Sequence, residues 1–299
     1  MFNYILYRIG QFIALFVPLK LAYKIAVFLS DLHYLFAKED RRQVFNNLKV
    51  IFPEKSDREI RRIRLRMKRN FAKYLVDFFR FSKIDKKYIK RKIKIENLRY
   101  LDDALSKQKG VIALTAHLGN WELGGVVVSL LGYSLAAVAL PHKDKKVDNF
   151  FNLQRKRKGI KVIPLGKAVK ACLNTLKENK IVALVGDRDF TEKGIIIDFF
   201  GKPTFLPEGP AAFALKTGAI IVPGFMVRNH DDSFTLRIEK PIEPIAVSKS
   251  INYHINELKK LVTQYKIIIE DYIRKYPEQW YMFKKFWIDP ISPKDAGAF

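Results

Sequence analysis

The pattern of apolar and polar positions divides the chain into three regions and a short tail. Residues 2–36 are rich in Phe, Ile, Leu and Tyr, but charged residues interrupt them, so no apolar run reaches the roughly 18 residues of a clean membrane-spanning helix. We interpret residues 1–36 as a membrane anchor that either spans marginally or lies in the interface. The alternative is a pair of amphipathic helices packed on the folded domain.

Residues 37–100 form a basic region that starts directly after the apolar segment. Residues 38–99 hold 22 Lys and Arg against 8 Asp and Glu, and by the positive-inside rule this excess puts the rest of the chain on the cytoplasmic side. Ser56 and Glu59 have the spacing of a capping box, and apolar residues recur at three- and four-residue spacing from Ile60 to Phe78. This pattern predicts one amphipathic helix. Its arginines either contact anionic lipid or are simply solvated.

The sequence pattern changes after Asp102, where short runs rich in Val, Ile and Ala alternate with segments of helical character. This alternation is typical of an α/β domain. We predict a central, mostly parallel or mixed sheet flanked by helices over residues 101–290, followed by a tail over 291–299. The predicted strands are 111–115, 181–185, 219–222 and 234–239, and the predicted helices include 210–217 and 250–276.

Charge and cysteine content narrow the possible partners and compartments. The formal net charge is +25, which attracts nucleic acid, acidic lipid headgroups or an acidic carrier protein. The single cysteine, Cys172, excludes an internal disulfide framework and a cysteine-built metal site. We expect Cys172 to be a small buried apolar residue and the folded part to lie in a reducing compartment.

The candidate chemistry follows the predicted strand 111–115. His117 lies just past the carboxyl end of this strand, where open α/β sheets hold their active-site groups. On one continuous helix His117 and Glu122 would point about 140° apart, but a turn at Gly119 lets both face one cleft. A histidine can take a proton from an attacking hydroxyl while a carboxylate at its other nitrogen fixes the tautomer. Alternatively, both residues are structural: His117 caps the end of the strand, and Glu122 lies in the first turn of a helix, where the helix dipole favours a negative charge.

The string His-Leu-Gly-Asn-Trp-Glu at 117–122 resembles the first motif of the lipid A biosynthesis acyltransferases, the late lauroyl- and myristoyl-transfer enzymes of Gram-negative inner membranes. That family belongs to a wider glycerolipid acyltransferase-like group. Other segments resemble the family in the same order along the chain, namely 41–48, 52–56, 186–189, 199–201, 207–223 and 277–280. Because they are spread over most of the chain, they are more specific together than any one motif.

The resemblance implies transfer of a fatty acyl group from a thioester, usually on acyl carrier protein, to a hydroxyl of a lipid A precursor or related glycolipid. The enzyme would lie at the cell inner membrane with its catalytic domain on the cytoplasmic side. His117 would be the general base and Glu122 its partner. We expect backbone amides near Gly119 and Asn120 to stabilise the tetrahedral oxyanion. No cofactor or metal is expected, because a thioester is already activated.

Four residues are predicted to bind substrate: Asn120, Arg188, Asp189 and Glu208. Arg188, flanked by Asp187 and Asp189, would meet an anionic headgroup or phosphopantetheine, or else form a structural ion pair at the sheet edge. Glu208 lies in a Pro-Glu-Gly core that resembles one used for phosphate-bearing acceptors in the wider group. The expected hydroxyl residue and arginine are absent after the glycine. Contacts to sugar hydroxyls or a pair with a lysine are therefore alternatives for Glu208.

Two further segments have open interpretations. Residues 277–287 mix aromatic and cationic side chains, which suits either a membrane-interface or carrier-docking surface or ordinary packing of a terminal segment. His142 and residues 155–158 are expected in a polar region near the cleft.

Two other functions fit parts of the sequence. The same chemistry could acylate another lipid, such as a phosphatidylinositol mannoside or a lysophospholipid. In a different class, a pI of about 9.9 and an arginine-rich helix suit a membrane-associated nucleic-acid-binding protein. The chain lacks the glycine-aromatic RNA motif, zinc-finger spacing and basic zipper of such proteins. We therefore expect anionic membrane lipids, and no nucleic acid, among its partners.

Overall fold

A computed structural model of the chain describes residues 2–189, 194–244 and 251–288. Its helices are α1 (Phe2–Phe16), α2 (Leu19–Phe36), α3 (Lys38–Ile51), α4 (Asp57–Phe79), α5 (Lys86–Lys92), α6 (Arg99–Ser106), α7 (Trp121–Leu130), α8 (Lys145–Lys156), α9 (Ala168–Lys177), α10 (Gly209–Thr217) and α11 (Ile251–Lys275). Its strands are β1 (Ile93–Glu96), β2 (Val111–Thr115), β3 (Leu135–Ala139), β4 (Lys161–Pro164), β5 (Ile181–Val185), β6 (Ile195–Phe199), β7 (Lys202–Leu206), β8 (Ile220–Arg228) and β9 (Phe234–Ile238). The predicted tail, 291–299, lies outside the described residues.

A seven-stranded sheet in the order β1-β9-β8-β2-β5-β3-β4 forms the centre of the fold. Strands β8, β2, β5, β3 and β4 run parallel, β9 is antiparallel to β8, and β1 is parallel to β9. Helices α6, α7 and α8 pack on one face and α9 and α10 on the other, and α11 packs on α10. Strands β6 and β7 pair as a separate antiparallel hairpin. The predicted α/β architecture with a mostly parallel, mixed sheet is confirmed.

Most predicted elements of the sheet region are confirmed. Strands β2 and β5 agree with prediction residue for residue, because a strand covered on both faces is a continuous apolar run. The predicted strand at 219–222 is the start of the longer β8, and 234–239 contains β9. Helices α10 and α11 match the predicted 210–217 and 250–276, and Gly218 ends α10 in the left-handed conformation. Cys172 is fully buried, as expected.

The basic region contains the predicted amphipathic helix, two further helices, α3 and α5, and one strand that was not predicted. Helix α4 begins with a capping box: the Ser56 hydroxyl accepts from the Glu59 amide at 3.4 Å, and the Glu59 carboxylate accepts from the Ser56 amide at 2.9 Å. The unpredicted strand is β1, which lies within the segment 37–100 and pairs with β9. The central sheet therefore begins before residue 101.

The amino-terminal segment forms two amphipathic helices that pack on the rest of the protein. The ring of Tyr7 on α1 contacts Phe79 on α4 and Phe150 on α8, while α2 packs along α4. The packed helix pair is therefore the arrangement that the structure shows. Within the described ranges, no helix combines the length and the apolar character needed to cross a bilayer.

Candidate active site

Parallel pairing of β2 with β5 determines where the candidate base lies. Thr115 at the end of β2 is in register with Val185 at the end of β5. His117 and Asp187 each follow their strand by two residues, so they emerge side by side at the carboxyl edge of the sheet. This is the edge at which open α/β folds bind ligands.

Asp187 holds His117 through a pair of hydrogen bonds. Nδ1 of His117 lies 2.8 Å from Oδ1 of Asp187, and the backbone amide of His117 donates to Oδ2 at 3.1 Å. The indole Nε1 of Trp280 also donates to Oδ2, at 2.9 Å. Asp187 is 0% exposed, whereas the His117 side chain remains 20% exposed.

The Asp187 carboxyl is ionised in this environment. Burial alone raises its pKa, but the His117 ring and the hydrogen bonds from His117 and Trp280 outweigh burial and lower the pKa below its ordinary value. An ionised carboxylate can only accept, so the proton of the neutral imidazole is assigned to Nδ1. In that tautomer the acceptor lone pair of the ring lies on Nε2.

The turn after His117 requires glycine and uses two backbone amides. Gly119 has φ +65°, and a Cβ at this position would lie 2.1 Å from the carbonyl oxygen of Met226. The amide of Gly119 donates to Gln279 O at 2.8 Å and that of Asn120 to Met226 O at 2.7 Å. These two amides are therefore engaged with backbone carbonyls, and the expectation that amides near them stabilise the oxyanion stays a prediction.

Asn120 caps helix α7 from the interior. Its side chain is 1% exposed; Oδ1 accepts from the Leu123 amide at 3.0 Å, and Nδ2 donates to Oδ2 of Asp77 at 3.1 Å. These contacts account for Asn120 as a residue that shapes the loop. Its predicted contact with substrate stays a prediction.

Glu122, on the first turn of α7, pairs with Arg155 on α8. The guanidinium Nε and Nη2 donate to both carboxylate oxygens at 2.5–3.1 Å, and each side chain is only about a tenth exposed. The prediction gave Glu122 to His117 as its carboxylate partner, but the carboxylate on Nδ1 is that of Asp187. The reason is that α7 turns Glu122 towards α8. A catalytic role for Glu122 stays a prediction.

The polar region expected near the cleft includes His142, which follows β3 at the same edge of the sheet. The amide of His142 donates to Asp148 at 3.0 Å, and its ring lies 4.7 Å from that of Phe151. Burial lowers the pKa of His142. Asn152, which accepts from Arg155 at 2.9 Å, belongs to the same group.

The other predicted substrate residues lie at different points. Arg188 directly follows Asp187, and its Nη1 lies 3.5 Å from Sδ of Met282. Asp189 accepts from the amide of Gly194 at 2.6 Å. Glu208 is exposed immediately before α10. Their roles in substrate binding stay predictions.

The carboxyl-terminal aromatic segment packs against the His117 loop. Leu118 and Trp280 form an isolated antiparallel bridge, and the amide of Tyr281 donates to His117 O at 2.8 Å. Trp280 is 0% exposed. Of the two interpretations of residues 277–287, the structure therefore supports packing for Trp280, which sequence reasoning did not connect to the Asp187 carboxylate.

A buried polar network ties the loop to helix α2. Asp77 on α4 accepts from the Tyr23 hydroxyl at 2.5 Å, from Asn120, and from the Arg228 guanidinium. Arg228 also donates to the Tyr23 hydroxyl at 3.1 Å. Asp77, Tyr23 and Arg228 are 4–7% exposed. The network connects α2, α4, α7 and β8 at a point three residues from His117.

An apolar cavity lies between the sheet and α7. Its volume is about 80 Å³, and it is lined mainly by small and aliphatic residues, including Ala113, Ala183, Gly124, Gly224, Val128 and Leu135. Ala113 and Ala183 lie in the middle of central strands yet are only half-buried, because this space covers them. Thr115 and Trp121 line it at the end near His117, where the Trp121 and His117 ring centroids are 5.2 Å apart.

The sequence profile of the bacterial lipid A biosynthesis acyltransferases matches residues 1–288. The chain belongs to this family. Phosphatidylinositol mannoside acyltransferase of Mycobacterium tuberculosis H37Rv is 31% identical over 160 residues, which cover 52% of this chain and 51% of that relative. The same-named protein of Mycolicibacterium smegmatis is 25% identical over 227 residues, or 75% and 71% of the two chains.

A third relative carries the family's own name. The lipid A biosynthesis acyltransferase of Haemophilus influenzae is 23% identical over 230 residues, which cover 77% of this chain and 71% of the relative. The mycobacterial match at 31% identity spans about half the length of the relative. Both kinds of relative transfer acyl groups according to their names, and their names differ in the acceptor.

Proposed function

We propose that this member of the lipid A biosynthesis acyltransferase family transfers a fatty acyl group from a thioester to a hydroxyl of a glycolipid, with His117 as general base. The observation that carries the proposal is the contact of His117 Nδ1 with the buried, ionised Asp187 at the end of an apolar cavity. A base and a space for an aliphatic chain at one sheet edge are what acyl transfer to a hydroxyl needs.

The proposed step starts with the acceptor hydroxyl, whose oxygen attacks the thioester carbonyl carbon as its proton passes to Nε2 of His117. A carbon–oxygen bond forms and the carbonyl oxygen becomes an oxyanion. The carbon–sulfur bond then breaks, and the leaving thiolate takes the proton from His117. Asp187 keeps the ring in the required tautomer and stabilises the transient imidazolium. Glu122, held by Arg155, remains the predicted second acidic residue of this site.

The cavity under α7 is proposed to take the acyl chain. It extends from Thr115, at the carboxyl end of β2, to Leu135, at the amino end of β3. Because β2 and β3 both run parallel to β5, Thr115 lies at the carboxyl ends of the strands and Leu135 at their amino ends. A five-residue strand rises about 16 Å, a length comparable with that of a fatty acyl chain. Apolar walls stabilise such a chain by burial.

The acceptor is proposed to be a lipid A precursor or a phosphatidylinositol mannoside, as the names of the relatives suggest. Both offer sugar hydroxyls on an anionic lipid, which suits a chain of net charge +25. Arg188, Asp189 and Glu208 are the predicted contacts to the acceptor or to the polar end of the donor. An acidic acyl carrier protein is the proposed donor on the same electrostatic ground.

We propose that α1 and α2 bind the membrane surface, at the cytoplasmic side of the inner membrane. Their unpacked faces carry exposed large apolar residues: Ile5, Leu6, Ile9, Phe12, Phe16, Leu21, Phe28, Leu29, Leu32, Leu35 and Phe36. Exposed apolar surface of this extent marks an interaction site. Arg66, exposed on the neighbouring α4, adds attraction for anionic headgroups.

The experiment supplies the purified chain with an acyl carrier protein thioester and, in separate reactions, a lipid A precursor or a phosphatidylinositol mannoside. Mass spectrometry of the lipid and a thiol assay are read together. The proposal expects one acyl chain added per thiol released, with one acceptor preferred. Acyl coenzyme A in place of the carrier thioester tests the donor. Thiol release without acylated lipid in any combination would contradict the proposal.

A further inference from the structure

A buried hydroxyl without a partner marks one end of the cavity. Within the described part of the chain, four buried side-chain nitrogen or oxygen atoms lack a hydrogen-bond partner: Thr115 Oγ1, Gln154 Nε2, Arg237 Nε and Trp287 Nε1. Of these four residues, Thr115 lines the apolar cavity. A buried hydroxyl that makes no hydrogen bond destabilises the folded protein, so an unpaired donor at this point calls for a ligand that pairs with it.

The fold places Thr115 on the side of the sheet where the reacting carbonyl is proposed to lie. Thr115 and Ala113 are two apart on β2 and so face the same side of the sheet, towards α7. Trp121 lines the same end of the cavity and touches the ring of His117. An acyl chain in the cavity with its carbonyl at His117 therefore brings the carbonyl oxygen next to Thr115.

Three backbone amides of the His117 loop are already engaged. The amides of Gly119 and Asn120 donate to backbone carbonyls, and that of His117 donates to Asp187. Thr115, two residues before the base, offers a donor on the side of the chain where the acyl group would lie. We propose that the Thr115 hydroxyl donates a hydrogen bond to the acyl carbonyl oxygen and stabilises the oxyanion formed there.

This assignment of the Thr115 hydroxyl rests on the proposed acyl transfer. It gives a functional reason for a buried hydroxyl that destabilises the folded protein. The donor is in place before the reaction and needs no rearrangement when negative charge develops, which is the basis of electrostatic stabilisation of a transition state. It acts in an apolar space, where a hydrogen bond to a charged oxygen is stronger than in water.

The test compares Thr115→Val with Thr115→Ser. Valine keeps the branched shape and removes the hydroxyl, whereas serine keeps the hydroxyl. We expect Thr115→Val to lower kcat about ten- to hundred-fold with little change in KM, and Thr115→Ser to retain most of kcat. Because the Thr115→Val substitution removes an unpaired buried hydroxyl, the melting temperature of this variant should equal or exceed that of the wild type.

Thr235→Val is the matched control, since Thr235 is buried on β9 of the same sheet with its hydroxyl hydrogen-bonded to Asn229. It should lose stability and keep kcat. The assignment is overturned if kcat of Thr115→Val stays within about three-fold of the wild type, or if Thr115→Ser loses as much kcat as the valine variant. Hydrolysis of the thioester by water passes through the same oxyanion and should fall in parallel. A wild type that releases no thiol at all would instead contradict the proposed function.

Discussion

Nδ1 of His117 lies 2.8 Å from Oδ1 of Asp187, a carboxylate that is 0% exposed. Seventy positions separate the two residues in the chain, and the parallel pairing of β2 with β5 brings them together. The contact fixes the tautomer of the imidazole and so puts the acceptor lone pair on Nε2, the atom proposed to take the hydroxyl proton. Under that proposal, the same contact links catalysis to acid stability.

Asp187 should make the protein sensitive to acid in a defined pH window. Its folded pKa is below the ordinary value of about 3.9, so its contribution to stability is fully present above that pH and is lost as pH falls through the folded pKa. In urea unfolding, the difference in unfolding free energy between wild type and Asp187→Asn should therefore narrow below about pH 4. A difference that stays constant from neutral pH down to pH 3 would contradict the ionised state of Asp187.

The network around Asp77 should be one of the larger sources of stability near the site. Asp77→Ala leaves the buried Arg228 guanidinium with the half-buried Asp232, 3.4 Å away, as its remaining counter-charge, and should cost about 3 kcal/mol, the lower end of the range for breaking a buried ion pair. Tyr23→Phe removes one hydroxyl from the network and should cost about 1–2 kcal/mol. Chemical denaturation measures both effects.

Tyr133→Phe is the matched control for this network, because the Tyr133 hydroxyl donates to the exposed Asp102. Exposed bonds of this kind contribute little, so a change within about 0.5 kcal/mol is expected. Equal losses of unfolding free energy for Tyr23→Phe and Tyr133→Phe would show that the buried network stabilises the protein no more than an exposed hydrogen bond does.

Filling the cavity should change which acyl chain is transferred. Ala183 lies on β5 beneath α7, and leucine at this position would extend into the empty space. We expect Ala183→Leu to shift the preferred chain to shorter lengths, and Ala183→Gly to retain the wild-type preference. A competition among acyl thioesters of several lengths, read by product mass, reports the preference independently of total rate. Unchanged product lengths in the leucine variant would exclude this cavity as the acyl site.

Removing exposed apolar side chains of the amino-terminal helices should weaken membrane binding. Phe28 on α2 is 68% exposed, and Val169 on α9, on the other face of the sheet, is 65% exposed. Burial of one aromatic side chain contributes about 1.5–3 kcal/mol, so Phe28→Asp should weaken sedimentation with anionic vesicles at least ten-fold. Val169→Asp adds the same charge away from α1 and α2 and should bind normally. Equal losses of vesicle binding for Phe28→Asp and Val169→Asp would show that the added negative charge alone weakens binding, and would contradict a membrane-binding role for the exposed face of α2.

Local patterns predicted the strands that frame the site better than they predicted its contacts. Strands β2 and β5 are continuous apolar runs followed by polar residues, so their ends could be located from sequence. Strand β1, with Lys94 and Glu96 among its four residues, has no such run, and only its pairing with β9 reveals it.

The partner of His117 was misassigned for a physical reason. Glu122 is near in sequence, whereas Asp187 is near only because β2 and β5 are neighbours in the sheet. Asp187 also stands beside Arg188, with which a local interpretation pairs it. The usable signal was positional: His117 and Asp187 each follow a buried strand by two residues. The order of the strands in the sheet decides which of these residues become neighbours. That order depends on contacts between segments that are distant in the sequence, so no local pattern reveals it.

The most direct test of the account compares turnover by the wild type, His117→Ala and Asp187→Asn with one acyl thioester and one glycolipid acceptor. Asp102→Asn, at an exposed carboxylate, is the control and should turn over normally. We expect no detectable transfer by His117→Ala and a kcat loss of about 10²- to 10⁴-fold for Asp187→Asn, with both variants folded. Near-normal transfer by folded His117→Ala would contradict the central claim.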